Sequence, residues 1–376
     1  MAERALKRID WLLILFIFPI ILAGLVTMKS FTQAEFAGDF FGKQVIWISI
    51  SLVVFFIFSF IDFRFLKRTD VLVYLFLGTC FILALLFILG HVSNGAKSWF
   101  NFGLFSFQPV DVMKLVLILI LAKYFSRRHV EIGDIKHIFI SGFYALVPLI
   151  LVLLQPDFGS AMIIGLIWLG MVLVSGIRKM HLFLVFISGA LIFLSLWFLV
   201  FAPYQKARIM NFINPLADIH GTGYNAFQST IAVGSGQILG KGLGFGTQSR
   251  LKFLPQAQSD FVFAAFAEEW GLVGGILILL LYSLVIWRIL HSTALGATNF
   301  EILFGMGIAI FFMSQILINI GMNLGLMPIT GIPLPFMSYG GSHLLTEFAG
   351  LGILMSMRRY ARIAHRDKMK NEFLGI

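Results

Sequence analysis

The chain has 376 residues, 59% of them hydrophobic and only 12% charged, with a formal net charge of +10. A soluble domain of this length needs a far more charged surface, so that class is excluded. The single Cys80 excludes an internal disulfide.

Apolar runs at 11–28, 44–61, 71–90, 109–125, 138–154, 158–175, 182–201, 261–287, 302–323 and 340–357 approach or exceed the roughly 20 residues that cross a bilayer. They predict an all-α polytopic membrane protein: one integral-membrane domain over 1–376, with about ten transmembrane helices. The first run is followed by no small-residue cleavage site and reads as a retained helix. With the N-terminus in the cytoplasm, most basic residues fall on inner segments. These are Arg4, Lys7, Arg8, Arg64, Lys67, Arg68, Arg127, Arg128, Lys136, Arg178, Lys179, Arg288 and the run from Arg358 to Lys370. Both termini are therefore expected inside. The basic excess then reads as orientation and contact with anionic lipid, not nucleic acid.

The segment 91–108 between the third and fourth runs carries Lys97. After it, Pro109 suits the first turn of a helix. Asp111 and Lys114 then share one helical face, where they can pair. They read either as a self-neutralising pair or as a Lys114 held by Asp111 and facing an outward-open polar cavity to meet a phosphate. Gln155-Pro-Asp157-Phe-Gly159 is a tight turn in which Asp157 suits a helix start.

The long connection 202–260 lies between the seventh and eighth spans, and loops of that length are usually functional or disordered. This one is too apolar for disorder. It carries Arg208, and Tyr224, Phe227, Ile231 and Ile238 recur at near-helical spacing, which predicts a short interfacial helix. Its glycines from 234 to 246 form no Walker motif and read as a flexible turn or as a backbone nest for a diphosphate. The loop ends on Asp260, where water meets the membrane edge. Asp260 is either a helix cap, with Ser259 able to take that place, or a general base. Glu268 and Glu269 lie about 12 Å further along and are expected to pair with a basic group. On the ninth span, Gly305, Gly307 and Gly321 would allow a partner helix to approach closely. Segment 324–342 ends on Ser338-Tyr339-Gly-Gly-Ser342. Glu347, within the last span, has no local basic partner.

Gly331-Ile-Pro-Leu-Pro-Phe-Met-Ser-Tyr-Gly-Gly-Ser342 resembles the signature of the SEDS proteins of shape, elongation, division and sporulation. So do Gln155-Pro-Asp157-Phe-Gly159, Asp260-Phe-Val-Phe-Ala-Ala-Phe-Ala-Glu-Glu-Trp-Gly271, Gly95-Ala-Lys-Ser-Trp99 and the stretch from Gln108 to Lys114. The proline-rich form and Lys7-Arg-Ile-Asp-Trp11 are similar to the rod-shape branch, RodA. The resemblance implies an inverting peptidoglycan glycosyltransferase of the bacterial inner membrane that polymerises lipid II for cell elongation. It implies a class B penicillin-binding protein as partner, with other elongation-machinery membrane proteins nearby. The family's essential aspartate falls on Asp260, and its glutamate–lysine pair on Asp111 and Lys114. His343 stands where the family commonly has a small residue. Lys97, Lys114, Asp111, Arg208, Ser338 and Tyr339 are the expected substrate-binding residues. No ligand set for a metal is readable, although a Mg or Mn ion could share the diphosphate. The competing reading is a lipid-precursor flippase or transporter, which would place polar residues at the midplane and break its helices.

Overall fold

The computed structural model describes residues 9–32, 40–93, 96–101, 103, 106–127, 135–199, 201, 203–214 and 223–374. Side chains at 31–32, 91–97, 196, 204 and 360–374 fall outside this description. The order is α1 (Trp11–Thr32), α2 (Phe40–Phe60), a 3-10 turn (Phe63–Lys67), α3 (Thr69–Leu89), β1 (His91–Ser93), β2 (Ala96–Asn101) and β3 (Ser106–Phe107). Then follow α4 (Pro109–Ser126), α5 (Ile135–Leu153), α6 (Phe158–Val174), α7 (Lys179–Leu199), α8 (Pro203–Ile213), α9 (Tyr224–Ser235), α10 (Thr247–Arg250), α11 (Val262–Ala294), α12 (Asn299–Asn323) and α13 (Gly341–Leu374).

Each expected span falls on a helix, so the chain is a polytopic helical membrane protein. Among the described residues, α1, α2, α3, α5, α7, α11 and α12 are long and apolar enough to cross a membrane. α4 carries Asp111, Lys114 and Lys123, α6 is shorter, and α13 continues past the apolar stretch into a basic tail. The segment 91–108 contributes a small antiparallel sheet ordered β1-β2-β3, pairing His91 with Trp99 and Phe100 with Phe107. The short helix expected near residue 224 is α9.

α12 is the centre of the bundle and packs on α11, α4 and α6. Its glycines serve that packing and not a partner. A Cβ on Gly305 would lie 2.2 Å from Thr293 Oγ1, and one on Gly307 would lie 2.5 Å from Ile118. At Gly321 the neighbour is Met327, at 3.1 Å. The expectation that these glycines form a docking face is therefore wrong. α7 is the opposite case: nearly all its described side chains are exposed. Phe201, just after it, meets Phe193, Trp197 and Phe158 edge-on at 6.0, 6.4 and 5.6 Å.

The two ends of the bundle are fastened differently. At the end away from the 202–260 loop, the Asp10 carboxylate accepts from Arg288 Nε at 2.8 Å, Ser292 Oγ at 2.9 Å and Arg358 Nη1. Burial alone would raise this carboxyl, but the two arginines and the serine outweigh it and hold it below the usual value. The contact ties the start of α1 to α11 and α13.

At the loop end, α11 is broken at Gly271, whose φ of 67° and ψ of −164° suit glycine alone. The break is filled by the loop after α9. Leu272 N donates to Gln237 O at 2.9 Å and Val273 N to Ile238 O at 3.1 Å. In return, Lys241 N and Gly242 N donate to Glu268 O and Glu269 O, both at 3.0 Å. A Cβ on Gly271 would lie 2.3 Å from Gly240 N, and one on Gly240 would lie 2.1 Å from Glu269 O. Gly271→Ala is therefore expected to cost at least the roughly 1–3 kcal/mol of a disallowed backbone conformation. A lowered midpoint in a detergent melting assay checks this.

Candidate active site

The site is built where the end of the long loop meets the segment between α12 and α13. The sequence Gly331 to Gly340 does not form a helix. It threads the bundle as irregular backbone, tolerable at such depth only when its polar groups are met. Ile332 O accepts from Asn319 Nδ2 at 2.7 Å, and Pro335 O accepts from the Tyr282 hydroxyl at 2.6 Å. Phe336 N donates to Glu347 Oε2 at 3.0 Å. Gln44 Nε2 donates to Ser338 O at 3.0 Å, and its Oε1 accepts from Gly340 N at 3.2 Å.

This segment holds the end of the long loop. The Ser338 hydroxyl donates to Ser259 O at 2.6 Å and accepts from Leu334 N at 2.7 Å. Tyr339 N donates to Gln258 O at 2.8 Å. Asp260 O accepts from Asn319 Nδ2 at 2.9 Å and Asn323 Nδ2 at 3.1 Å. The backbone on both sides of Asp260 is thus fixed. Ser338 is fully buried, so its hydroxyl supports the loop and does not line a groove. Tyr339 is half-buried, with its ring edge-on to Phe40 at 5.1 Å.

Asp260 does not cap α11, and neither does Ser259. The N-cap position is Phe261, with no side-chain cap, and the Ser259 hydroxyl turns back to Gln256. The free N–H of Ala264 is met instead by Asn323 Oδ1 at 3.1 Å. That leaves the half-buried Asp260 carboxylate without a capping duty. Burial pushes its pKa up to about 6. Ser259 and Arg208 restrain the rise, and Asp157 adds to it. The position beside it is a glycine: a Cβ on Gly331 would lie 3.5 Å from Asp260 Oδ2.

Arg208 on α8 lines a shallow cleft with Phe158, Phe201, Gln205, Ile209, Pro328 and Ile329. The cleft is apolar apart from Gln205 and the guanidinium. Asp157 takes its expected place, capping α6 through Ser160 N at 3.0 Å while Gln108 Nε2 donates to its other oxygen at 3.1 Å.

Asp111 and Lys114 pair as expected, at 2.9 Å, and Ser342 Oγ donates to Asp111 Oδ2 at 3.2 Å. The amine is 3% exposed, so Lys114 does not face an open cavity. Its place between α4 and α13 buries it in helix packing. Lys97 lies on β2, and its side chain is outside the described residues. Among the described residues, no three His, Cys, Asp or Glu side chains gather as a metal-ligand set.

Glu268 shows what the glycine-rich loop does. Its fully buried carboxylate accepts from Lys241 Nζ at 2.8 Å, Thr247 Oγ1 at 3.1 Å, Gln248 N at 3.0 Å and Ser249 N at 3.3 Å. Gly244 N donates to Glu269 Oε1 at 3.1 Å. The loop is a nest for anions, and the anions are the chain's own glutamates, not a diphosphate.

Sequence reasoning missed Asn319 and Asn323. The available signal was two amides four residues apart in a largely apolar helix, where polar side chains at membrane depth bind something.

The raised Asp260 has a consequence that can be measured. If Asp260 acts as a general base it works only when ionised, so kcat/KM should fall as pH drops through about 6. The sign of the stability effect follows from the same shift. Stability from a raised carboxyl is present below its ordinary 3.8 and lost as pH rises through about 6. A pH–rate profile of the purified protein checks the acidic limb, which Asp260→Asn should lack.

Residues 5–363 match the model of the FtsW/RodA/SpoVE family, described as cell cycle proteins. The chain is 36% identical over 369 residues to stage V sporulation protein E of Bacillus subtilis, covering 94% of this chain and 98% of that protein. It is also 36% identical over 294 residues to peptidoglycan glycosyltransferase MrdB of Escherichia coli K12, covering 78% and 79%. A chain solved in a study of polymerization and crosslinking by a peptidoglycan synthase complex matches with a TM-score of 0.79 and 29% identity, covering 94% of this chain and 98% of that one. Equal identity to a sporulation protein and to MrdB favours no single branch. The chain belongs to the FtsW/RodA/SpoVE family.

Proposed function

We propose that this protein is a peptidoglycan glycosyltransferase that polymerises lipid II into glycan strands, with Asp260 as general base. The observation that carries the reading is the state of Asp260. Its backbone is held by Asn319 and Asn323, its carboxylate is released from helix capping, and burial raises it to about 6. The 4-hydroxyl of the acceptor sugar attacks the anomeric carbon of the donor. Its proton passes to Asp260 as the new C–O bond forms. The bond from the anomeric carbon to the diphosphate breaks, and undecaprenyl diphosphate leaves with the electron pair. Arg208 offsets the charge that develops there, and the apolar wall of its cleft takes the first part of the prenyl chain. Lys114 can reach a phosphate only if α4 and α13 part, so Arg208 is the better-placed cation in this state.

The family match and the MrdB likeness support the glycosyltransferase activity. The service to elongation and rod shape rests on the proline-rich signature and on Lys7-Arg-Ile-Asp-Trp11. In this reading the 202–260 loop faces outside the bacterial inner membrane and both termini lie in the cytoplasm. A class B penicillin-binding protein, with other elongation-machinery membrane proteins, would complete the assembly. The kinship with a synthase complex supports that partner. The outward row Leu272, Ile276 and Leu280 of α11 offers it an apolar face. A flippase would keep its broken helix against a wet cavity. Here the break in α11 is filled by the chain's own backbone. Incubating the purified protein with lipid II, alone and with the transpeptidase, tests the reading. Glycan polymer that depends on Asp260 is expected, and lipid translocation without polymer would overturn it.

A further inference from the structure

Two buried polar atoms near the site have no hydrogen-bond partner among the described residues: His343 Nε2 and Glu347 Oε1. His343 is 6% exposed and Glu347 only 1%. Buried polar groups left unmet are rare because burial takes away their water without a replacement partner. These two stand four residues apart on α13, so they share one helical face about 5–6 Å apart at Cβ. Asp111 and Lys114 from α4 lie within electrostatic reach of both, and Tyr282 from α11 lies within reach of Glu347. The other oxygen of Glu347 is fully engaged, accepting from Phe336 N at 3.0 Å.

Phe336 is where that hydrogen bond matters. It is a buried non-glycine residue with φ of 61°, in the left-handed region that bulky residues avoid. Such a conformation is strained and persists only when its surroundings hold it. Three contacts do so here. The ring packs between Phe312 at 5.2 Å and Phe348 at 5.4 Å, the preceding carbonyl is held by Tyr282, and the N–H is held by Glu347. Two residues on, Ser338 grips Ser259 O, next to Asp260.

We propose that Glu347 is a positioning residue for the reaction at Asp260, fixing the Phe336 turn, and that Glu347 Oε1 and His343 Nε2 satisfy each other directly or across one buried water. The proposal rests on the reading of Asp260 given above. The chain of contacts runs from His343 to Glu347, Phe336, Ser338, Ser259 and Asp260. It touches no reacting atom, so it sets where the base stands and not how lipid II is bound.

The test uses the purified full chain with lipid II, reading kcat and KM separately and checking the folded fraction by gel filtration. Glu347→Leu removes the acceptor for Phe336 N. It should lower kcat by about tenfold to a hundredfold, the scale of a small misplacement of a catalytic group, with KM nearly unchanged. Glu347→Gln keeps an acceptor for Phe336 N and should lose less. His343→Ser should lower kcat alone but add nothing to Glu347→Leu, because it acts through Glu347. A folded Glu347→Leu protein with unchanged kcat would overturn the proposal. So would additive effects of the two substitutions. If Glu347→Leu does not fold, the cycle of Glu347→Gln with His343→Ser decides on the same criterion of coupling against independence. Asp260→Asn runs alongside. If that variant is inactive while the Glu347 variants are unimpaired, only the present proposal fails; if it is fully active, the reading beneath it fails.

Discussion

Asp260→Asn should lower lipid II polymerisation by about 100- to 10,000-fold, the usual contribution of general acid–base catalysis, while the protein still folds and inserts. The amide keeps the size of the side chain and removes only the basic oxygen. A capping role would make the change nearly silent, since Asn caps as well as Asp. The structure removes that role, because the first turn of α11 is served by Asn323. Asp260→Glu is informative as well. The backbone of Asp260 is clamped by Asn319, Asn323 and, through Ser259, Ser338. The extra methylene cannot be absorbed by retreat of the chain. Asp260→Glu is therefore expected to lose most activity too. Initial rates of polymer formation with purified variants check both. An Asn variant near the wild-type rate would remove Asp260 from the mechanism.

Glu268→Ala should have the second large effect, through order and not chemistry. The carboxylate collects Lys241, Thr247, Gln248 and Ser249, including two backbone N–H groups at the start of α10. Removing one partner of a buried ion pair typically costs about 3–5 kcal/mol. Lys241 keeps some access to water, so the lower part of that range applies. The loss falls on 236–250, which should open locally before the bundle melts. Limited trypsin digestion reads this directly, because Lys241, Arg250 and Lys252 lie in or beside the loop. Faster cleavage there is expected, together with reduced polymerisation. An unchanged digestion pattern would mean the loop is held by its backbone bonds alone.

The helices were legible in the sequence because a membrane span is a local property: about 20 apolar residues suffice, whatever they pack against. Asp157 as a cap and Asp111 with Lys114 as a pair were legible for the same reason, each depending on neighbours three residues away. What the sequence hid depends on residues far apart in the chain. Ser338 lies 79 residues from Ser259, whose carbonyl it holds. The glycine-rich loop looked like a turn or a diphosphate nest because its anions, Glu268 and Glu269, lie some 20 or more residues further on. The glycines of α12 suggested a partner because small residues permit close approach. Only the packing shows that Thr293 and Ile118 already occupy that space. Glu347 had no local basic partner, and its partner proves to be a backbone N–H.

A glycine in the middle of a long helix usually suggests a hinge. Gly271 is closer to a weld. Bending there would break four backbone hydrogen bonds, two in each direction, between the helix and the strip 237–242. Each is worth about 0.5–1.5 kcal/mol net. The piece of α11 that follows Asp260 therefore cannot swing independently of the rest of the helix. Asp260 stands on a fixed post, and under the proposed mechanism whatever travels to bring donor, acceptor and carboxylate into line has to be the lipid-borne sugars, or walls of the site other than this one.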